Sequence, residues 1–176
     1  MVGKKSDVSL SKPDILLFGF SSISVAVIPS HIKHIAPYAF YYCYDLTTIV
    51  FDKKSELETI GKKSFCSTNI KSFYVPKHTK VIGKKAFLDC KDLAKIHFDD
   101  QAEIMKIEKD AFLNSGLSEL TIPASLTQLD YCWCSYTSCL KSVVLSPQNP
   151  NFKYLQVQPK IILGKSDPKV DVFDAI

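Results

Sequence analysis

Proline recurs along this chain at a fixed step of 47 residues, at Pro29, Pro76 and Pro123, and most of its neighbourhood recurs with it. Each of the three follows an apolar residue (Ile28, Val75 or Ile122) and precedes a short polar stretch. The same step carries Ile35 onto Ile82 and Leu129, Cys43 onto Cys90 and Thr137, and Leu46 onto Leu93 and Leu140. Self-similarity held in register over such a distance marks stacked repeats, because each unit is too small to bury an apolar face alone. Arrays of this kind are built to present a surface, so the repeat also points away from an enzyme.

The 47-residue unit divides into two shorter ones. Aligning the apolar residue that opens each strand gives Ile23, Leu46, Ile70, Leu93, Leu117 and Leu140, separated by 23, 24, 23, 24 and 23 residues. A second anchor is a small residue followed by Phe, at Ala39-Phe40, Ser64-Phe65, Ala86-Phe87 and Ala111-Phe112. Two half-repeats therefore alternate, one carrying Ile-Pro and a short loop, the other Phe-Asp and a longer charged loop. Leu46, Ile49 and Phe51, with Val50 between the last two, read as a short strand with one buried face. Asp52 to Glu56 is a polar connection, Leu57 and Ile60 return inward, and Gly61 and Gly83 hold equivalent places at a tight bend. Lys62 to Phe65 is long enough for one helical or 3₁₀ turn that drops Phe65 into the core. Parallel strands are expected near 24–28, 47–51, 71–75, 94–98, 118–122 and 141–145, all on one face, with Phe40, Phe65, Phe87 and Phe112 forming one buried stack.

The segment from Ile28 to Phe51, I-P-S-H-I-K-H-I-A-P-Y-A-F-Y-Y-C-Y-D-L-T-T-I-V-F, resembles the BspA-like leucine-rich repeats of bacterial and protist surface antigens. The likeness covers roughly residues 23 to 146, and many anchors recur in register. It implies an α/β solenoid: a right-handed superhelix with parallel strands on one face and short helical turns or loops on the other. Pro147 to Phe152 resembles the N-P-x-F segment that closes arrays in that family, and Asp14 to Gly19 resembles a non-repeat remnant before the first turn. Trp133-Cys134 replaces the small residue and Phe, as a turn reshaped into a cap would. The organisation expected is an N-terminal cap over 1–22, an array of about six turns over 23–146 and a C-terminal cap or tail over 147–176.

Composition bounds the alternatives. A 176-residue chain that is 46% apolar is one domain's worth with a continuous core. No apolar run approaches the ~20 residues that span a bilayer, and Ile15 to Phe20 is too short for a signal-peptide core. All 22 basic residues are lysine, which argues against nucleic acid, since guanine and phosphate recognition lean on the guanidinium fork. Lys62, Lys63, Lys84 and Lys85 fall in register on adjacent turns, either as a solvated face or as a patch for an acidic partner.

Cys43 and Cys90 share a column two turns apart, roughly 10 Å, beyond the roughly 4.4–6.8 Å a disulfide tolerates. They read as buried thiols filling a narrow column. Cys132, Cys134 and Cys139 form the densest cluster, as free thiols or a disulfide in the cap; without nearby histidine they make a poor zinc set. His31 and His78 are explained by the repeat, and no nucleophile motif or phosphate loop is present. No catalytic residue, metal or cofactor is expected.

Residues on the outward side of the strands are not dictated by the core. One such column is Val25, Thr48, Ser72, Lys95, Glu119 and Ser142, and its neighbour is Val27, Val50, Tyr74, His97, Thr121 and Val144. Variable residues on an invariant frame suit recognition. The candidate partner-binding set is Tyr74, His97, Lys95, Asp99, Ser72, Glu119, Thr121 and Val50, with Tyr74 and His97 central. Exposed strand residues also have a plainer reading as good strand formers, and the sequence leaves both standing. The resemblance implies a non-catalytic adhesion or antigen module at the cell surface or secreted, binding a protein or a host or matrix macromolecule. The alternative is an intracellular, cytoplasmic interaction scaffold, in keeping with unpaired cysteines and no visible leader or anchor.

Overall fold

The computed structural model describes residues 2–3, 12–155 and 161–164. Its array is a coil with three sides, each side contributed once per turn. The first side is made of four-residue strands, Val25–Ile28, Thr48–Phe51, Ser72–Val75, Lys95–Phe98, Glu119–Ile122 and Ser142–Leu145. Each lies within a residue of its expected bounds, and every pairing between them is parallel. Burial alternates along them as the period of two requires: Ala26, Ile28, Phe73, Val75, Ile96, Leu120 and Ile122 point inward. The second side is a ladder of two-residue strands, His34–Ile35, Thr59–Ile60, Val81–Ile82, Lys106–Ile107 and Gln128–Leu129, in which the second residue of each is buried. Ile15–Leu16 pairs in parallel with His34–Ile35, so the segment resembling a non-repeat remnant already belongs to this ladder. Val2–Gly3 joins its edge antiparallel.

On the third side, of the helical turns or loops expected, the structure has loops: no helix occurs among the described residues, so the α/β part of the expected solenoid is not met. The segments around the small residue and Phe are stacked turns. Ten non-glycine residues there take left-handed φ between 53 and 63°, in pairs four apart: Tyr38 and Tyr42, Lys63 and Ser67, Lys85 and Asp89, Asp110 and Asn114, Cys132 and Tyr136. Alternate donors reach the next turn, as in Tyr38 N–H to Lys62 O at 2.9 Å, Phe40 to Ser64 at 2.7 Å and Tyr42 to Cys66 at 3.0 Å. The donors between them close three-residue loops, as from Ala39 to Ala36 O and from Cys43 to Phe40 O. A helix needs consecutive right-handed residues that spend every bond along their own chain, and this side spends half of them across it.

Between the three sides runs one core. Phe40, Phe65, Phe87 and Phe112 form the expected stack, with ring centroids 5.2, 5.4 and 5.3 Å apart and planes within 8° of parallel. Trp133 closes it edge-on at 6.3 Å and 89°. Phe73 wedges against both Phe65 and Phe87. The small residues preceding the stacked rings, Ala39, Ser64, Ala86 and Ala111, are buried and leave room for the stacking. A second narrow column holds Cys43, Thr68, Cys90, Ser115 and Thr137, all buried. Thr68 therefore separates Cys43 from Cys90; its hydroxyl donates to Phe65 O at 2.9 Å, while the Cys90 thiol donates to the same carbonyl at 3.0 Å.

Glycine at the bend has a different reason from the one expected. Neither Gly61 nor Gly83 has positive φ. A Cβ on Gly61 would lie 2.6 Å from Ile35 O and from Pro37 N, and one on Gly83 would lie 2.7 Å from Ile60 O. What excludes a side chain is the close approach of the turn beneath. At the other end, Asn149 acts as a clamp. Its buried amide donates to Pro123 O at 2.6 Å and Leu126 O at 3.1 Å, and its oxygen accepts from Asn151 and Phe152 N–H. The chain then forms an antiparallel hairpin, Phe152–Leu155 with Ile161–Gly164.

Candidate functional site

The outward columns of the long strands reach solvent along their whole length: Val50, Ser72, Tyr74, Lys95, His97, Glu119 and Thr121 are exposed, and Asp99 is half-buried. Three strands gather most of the candidate set. Parallel pairing places Ser72 beside Lys95 and Tyr74 beside His97, and Lys95 also bridges to Glu119. Two candidates lie on neighbouring strands but outside this ladder. Val50 lies on a strand that makes no ladder with Ser72–Val75, and Thr121 pairs with Val144 on its far side, not with His97.

Side chains at the centre are held by one another. The Tyr74 hydroxyl donates to Asp99 Oδ2 at 2.5 Å, and the other Asp99 oxygen accepts the Gln101 N–H at 2.8 Å. Those bonds hold the Asp99 carboxyl below the usual carboxylate range, the Tyr74 bond being the larger cause. The same hydrogen bond pushes the Tyr74 phenol up to about 12. Lys95 Nζ meets Glu119 Oε1 at 3.1 Å. The result is a tyrosine ring with a fixed direction, an exposed imidazole next to it and an ion pair along one edge.

Other titratable groups offer little chemistry. Burial pushes the Cys90 and Cys134 thiols up to about 12 and raises Cys43 and Cys66, which disfavours the nucleophilic thiolate. Cys132 and Cys139 are exposed. Among the described residues no group of three or more His, Cys, Asp or Glu is placed to hold a metal ion. A shallow hollow on the loop side is lined by Lys33, Glu56, Glu58, His78, Lys80 and Glu103, whose polar groups meet each other, Lys80 Nζ with Glu58 at 3.4 Å and His78 Nδ1 with Glu103 at 3.2 Å.

The lysine pairs at the start of the turn segments divide. Lys85 Nζ lies 3.8 Å from the buried Asp110, whereas Lys62 and Lys63 lie over tyrosine rings. Those rings form a surface the candidate set omits: Tyr38, Tyr41, Tyr42 and Tyr44 cluster on the first turn segment. Its signal was present as four tyrosines in seven residues, where the repeat requires only the Ala-Phe and Cys positions.

Among curated proteins, none matches the sequence. Solved structures do. The pneumococcal vaccine antigen PcpA superposes over 88% of this chain with a TM-score of 0.75 at 28% identity, and the chain spans 39% of that protein. A leucine-rich cell surface protein of Faecalibacterium prausnitzii matches over 80% of the chain and 44% of its own, with a TM-score of 0.54 at 17% identity. A leucine-rich repeat protein of Bacteroides ovatus gives a TM-score of 0.55 at 18% identity over 71% of the chain and 43% of its own. These last two share the fold. No enzymatic family is indicated. The model of the BspA-type leucine-rich repeat region matches residues 16–152 in six copies, and with the coil, the Phe stack and the strand register it establishes that this chain belongs to the BspA-type leucine-rich-repeat family.

Proposed function

We propose that this solenoid is a non-catalytic binding module of the surface adhesion or antigen type, which docks a protein or matrix macromolecule on its long-strand face. The observation that carries the reading is the exposed Tyr74–His97 cross-strand pair, with Tyr74 pinned by Asp99 and Lys95 by Glu119. A tyrosine held in one orientation offers a large contact area with little conformational freedom left to lose on binding. Ser72, Glu119 and Thr121 supply a polar rim, and Val50 an apolar flank across the strand break. Nucleic acid suits this face poorly, because it presents lysine without arginine and its central lysine is already paired. The surface location draws support from the antigen and cell-surface proteins that share the fold. Among the described residues no helix is long and apolar enough to cross a membrane.

The test is binding of immobilised matrix glycoproteins by the full chain and by the double variant Tyr74→Ala with His97→Ala. Loss of about 2 kcal/mol or more is expected for central contacts. Unchanged binding by the double variant removes the site. Location is tested separately by treating intact cells with an impermeant amine reagent, which modifies the lysines only if the protein is outside. Absence of modification would favour the intracellular scaffold, the reading that the unpaired cysteines support.

A further inference from the structure

The tyrosine cluster on the turn side is used neither by the repeat nor by the strand-face reading. Ring centroids are 5.4 Å apart for Tyr38 and Tyr41, 4.1 Å for Tyr41 and Tyr42, and 5.6 Å for Tyr42 and Tyr44. Tyr38, Tyr42 and Tyr44 are 45%, 47% and 57% exposed, so the core does not account for them.

Backbone conformation makes their presence harder to explain by stability. Tyr38 and Tyr42 occupy left-handed positions, with φ of 63 and 58°. Such positions favour short polar residues, and a bulky side chain raises the cost. The next three turns place Lys63 and Ser67, Lys85 and Asp89, then Asp110 and Asn114 there, and the last places Cys132 and an exposed Tyr136. Of these five turns only the first takes an aromatic residue at both positions, and it leaves both rings partly in solvent. An outlier of this kind is evidence for function when the fold gains nothing from it.

Charge indicates what would cover the patch. Further along the turn side Lys85 pairs with Asp110, while Lys109 lies over the Tyr131 ring and donates to its hydroxyl at 2.8 Å; Lys106, on the short-strand side, meets Glu108 and Asp130. Among the described residues the ammonium groups of Lys62, Lys63 and Lys84 form no ion pair with a carboxylate, although Glu108 accepts the Lys84 backbone N–H at 2.8 Å. Lys62 sits 5.8 Å from the centre of the Tyr38 ring and Lys63 5.5 Å from that of Tyr41. Asp45 is the single carboxylate contributed by the tyrosine-bearing turn segment. Tyr38 meets Tyr41 at 85° and Tyr41 meets Tyr42 at 39°, and Tyr38 and Tyr41 carry an ammonium group, which leaves only Tyr42 and Tyr44, 22° from parallel, as open faces.

We infer that the Tyr38–Tyr44 cluster with Lys62, Lys63 and Lys84 is a second docking surface, which takes an acidic polypeptide segment. Its carboxylates meet the unpaired lysines and its apolar side chains lie against Tyr42 and Tyr44.

The test uses the full chain and a fluorescent peptide of alternating glutamate and leucine, with the glutamine-leucine peptide as its neutral counterpart. The acidic peptide is expected to bind, and the neutral one to bind about tenfold more weakly or worse. Tyr42→Ser with Tyr44→Ser, and separately Lys62→Gln with Lys63→Gln, should each weaken the acidic peptide about tenfold. Tyr74→Ala with His97→Ala should leave it unchanged, which separates this surface from the strand face. Equal binding of the neutral peptide overturns the inference. So does a tyrosine pair that can be changed without effect, which reduces the patch to bare charge. Tighter binding of heparin through the same residues would assign the surface to anionic glycans instead.

Discussion

The two strand-bearing sides of the coil differ in continuity, and the shorter strands are the more continuous. The two-residue strands join with the N-terminal segment into one seven-stranded sheet that runs the length of the array. The four-residue strands come in pairs. Val25–Ile28 makes four register pairs with Thr48–Phe51, Ser72–Val75 with Lys95–Phe98, and Glu119–Ile122 with Ser142–Leu145. Between pairs the ladder lapses: Thr48–Phe51 makes none with Ser72–Val75, and Lys95–Phe98 keeps only Lys95 with Glu119. Proline explains the alternation. After two of the strands that close a pair the next residue donates backward, Asp99 to Val75 O at 3.1 Å and Ser146 to Ile122 O at 2.9 Å. At the alternate junctions that place is held by Pro76 and Pro123, which have no N–H to give. The 47-residue period is thus a strand-pair period. Continuity resides in the short ladder and the Phe stack, which leaves the long-strand face free to vary in sequence.

If the stack carries continuity, breaking it should cost most. Phe87→Ala removes a ring that touches Phe65, Phe73 and Phe112 and should lose about 3–5 kcal/mol in denaturant unfolding. A loss below about 1 kcal/mol would show that neighbouring turns do not depend on it.

A smaller effect is expected at the bend beside the short ladder. Gly83→Ala drives a methyl into Ile60 O and should cost about 1–3 kcal/mol. Ala36, Glu108 and Asp130 hold the equivalent place in other turns. Those places keep the same bond to the turn beneath, at 2.8 to 3.0 Å, so a neutral result would mean that the backbone at Gly83 can adjust to a side chain without losing it.

Pro76→Ala addresses the long face directly. It restores a donor facing the Phe51 end of the preceding strand, while returning freedom to the unfolded chain, and the two effects should leave stability within about 1 kcal/mol. The informative readout is hydrogen exchange. A protected amide at position 76 is expected, and a fast one would mean that proline is not what parts the strands.

The smallest effect is local. Asp99→Asn removes the carboxylate that holds the Tyr74 phenol at about 12, so its ultraviolet titration should fall toward the ordinary value of about 10. The sign for stability follows. Asp99, depressed in the folded state, contributes above its unfolded range and loses that contribution as pH falls through its folded value. Tyr74, raised, contributes below its unfolded value and loses that contribution as pH rises through about 12. Both groups reach solvent, which screens their interaction, so the visible change is in the titration more than in unfolding.

Much of this was legible in the residues. Ile23 to Leu140 at alternating steps set the strand positions within a residue, and the recurrence of Phe after a small residue announced the stack, because only residues of matching size can share a column. The outward columns followed from the period of two. The pinning of Tyr74 did not, since Asp99 lies beyond the strand and its reach depends on how the loop folds back. Nor did the tyrosine cluster on the first turn segment, which a search of strand columns passes over.

The sequence alone determined the repeat, its two alternating halves, the parallel order and the identity of the core, because all four follow from spacing and from the need of small units to stack. Tertiary structure decided what spacing cannot express. It made the turn side a stack of left-handed turns in place of helices, because half of its donors find carbonyls on the neighbouring turn. It gave Gly61 and Gly83 their role through backbones that approach within van der Waals contact, not through their own torsions. And it left some lysines unpaired and others neutralised, because the carboxylates that decide the matter come from a turn more than twenty residues away.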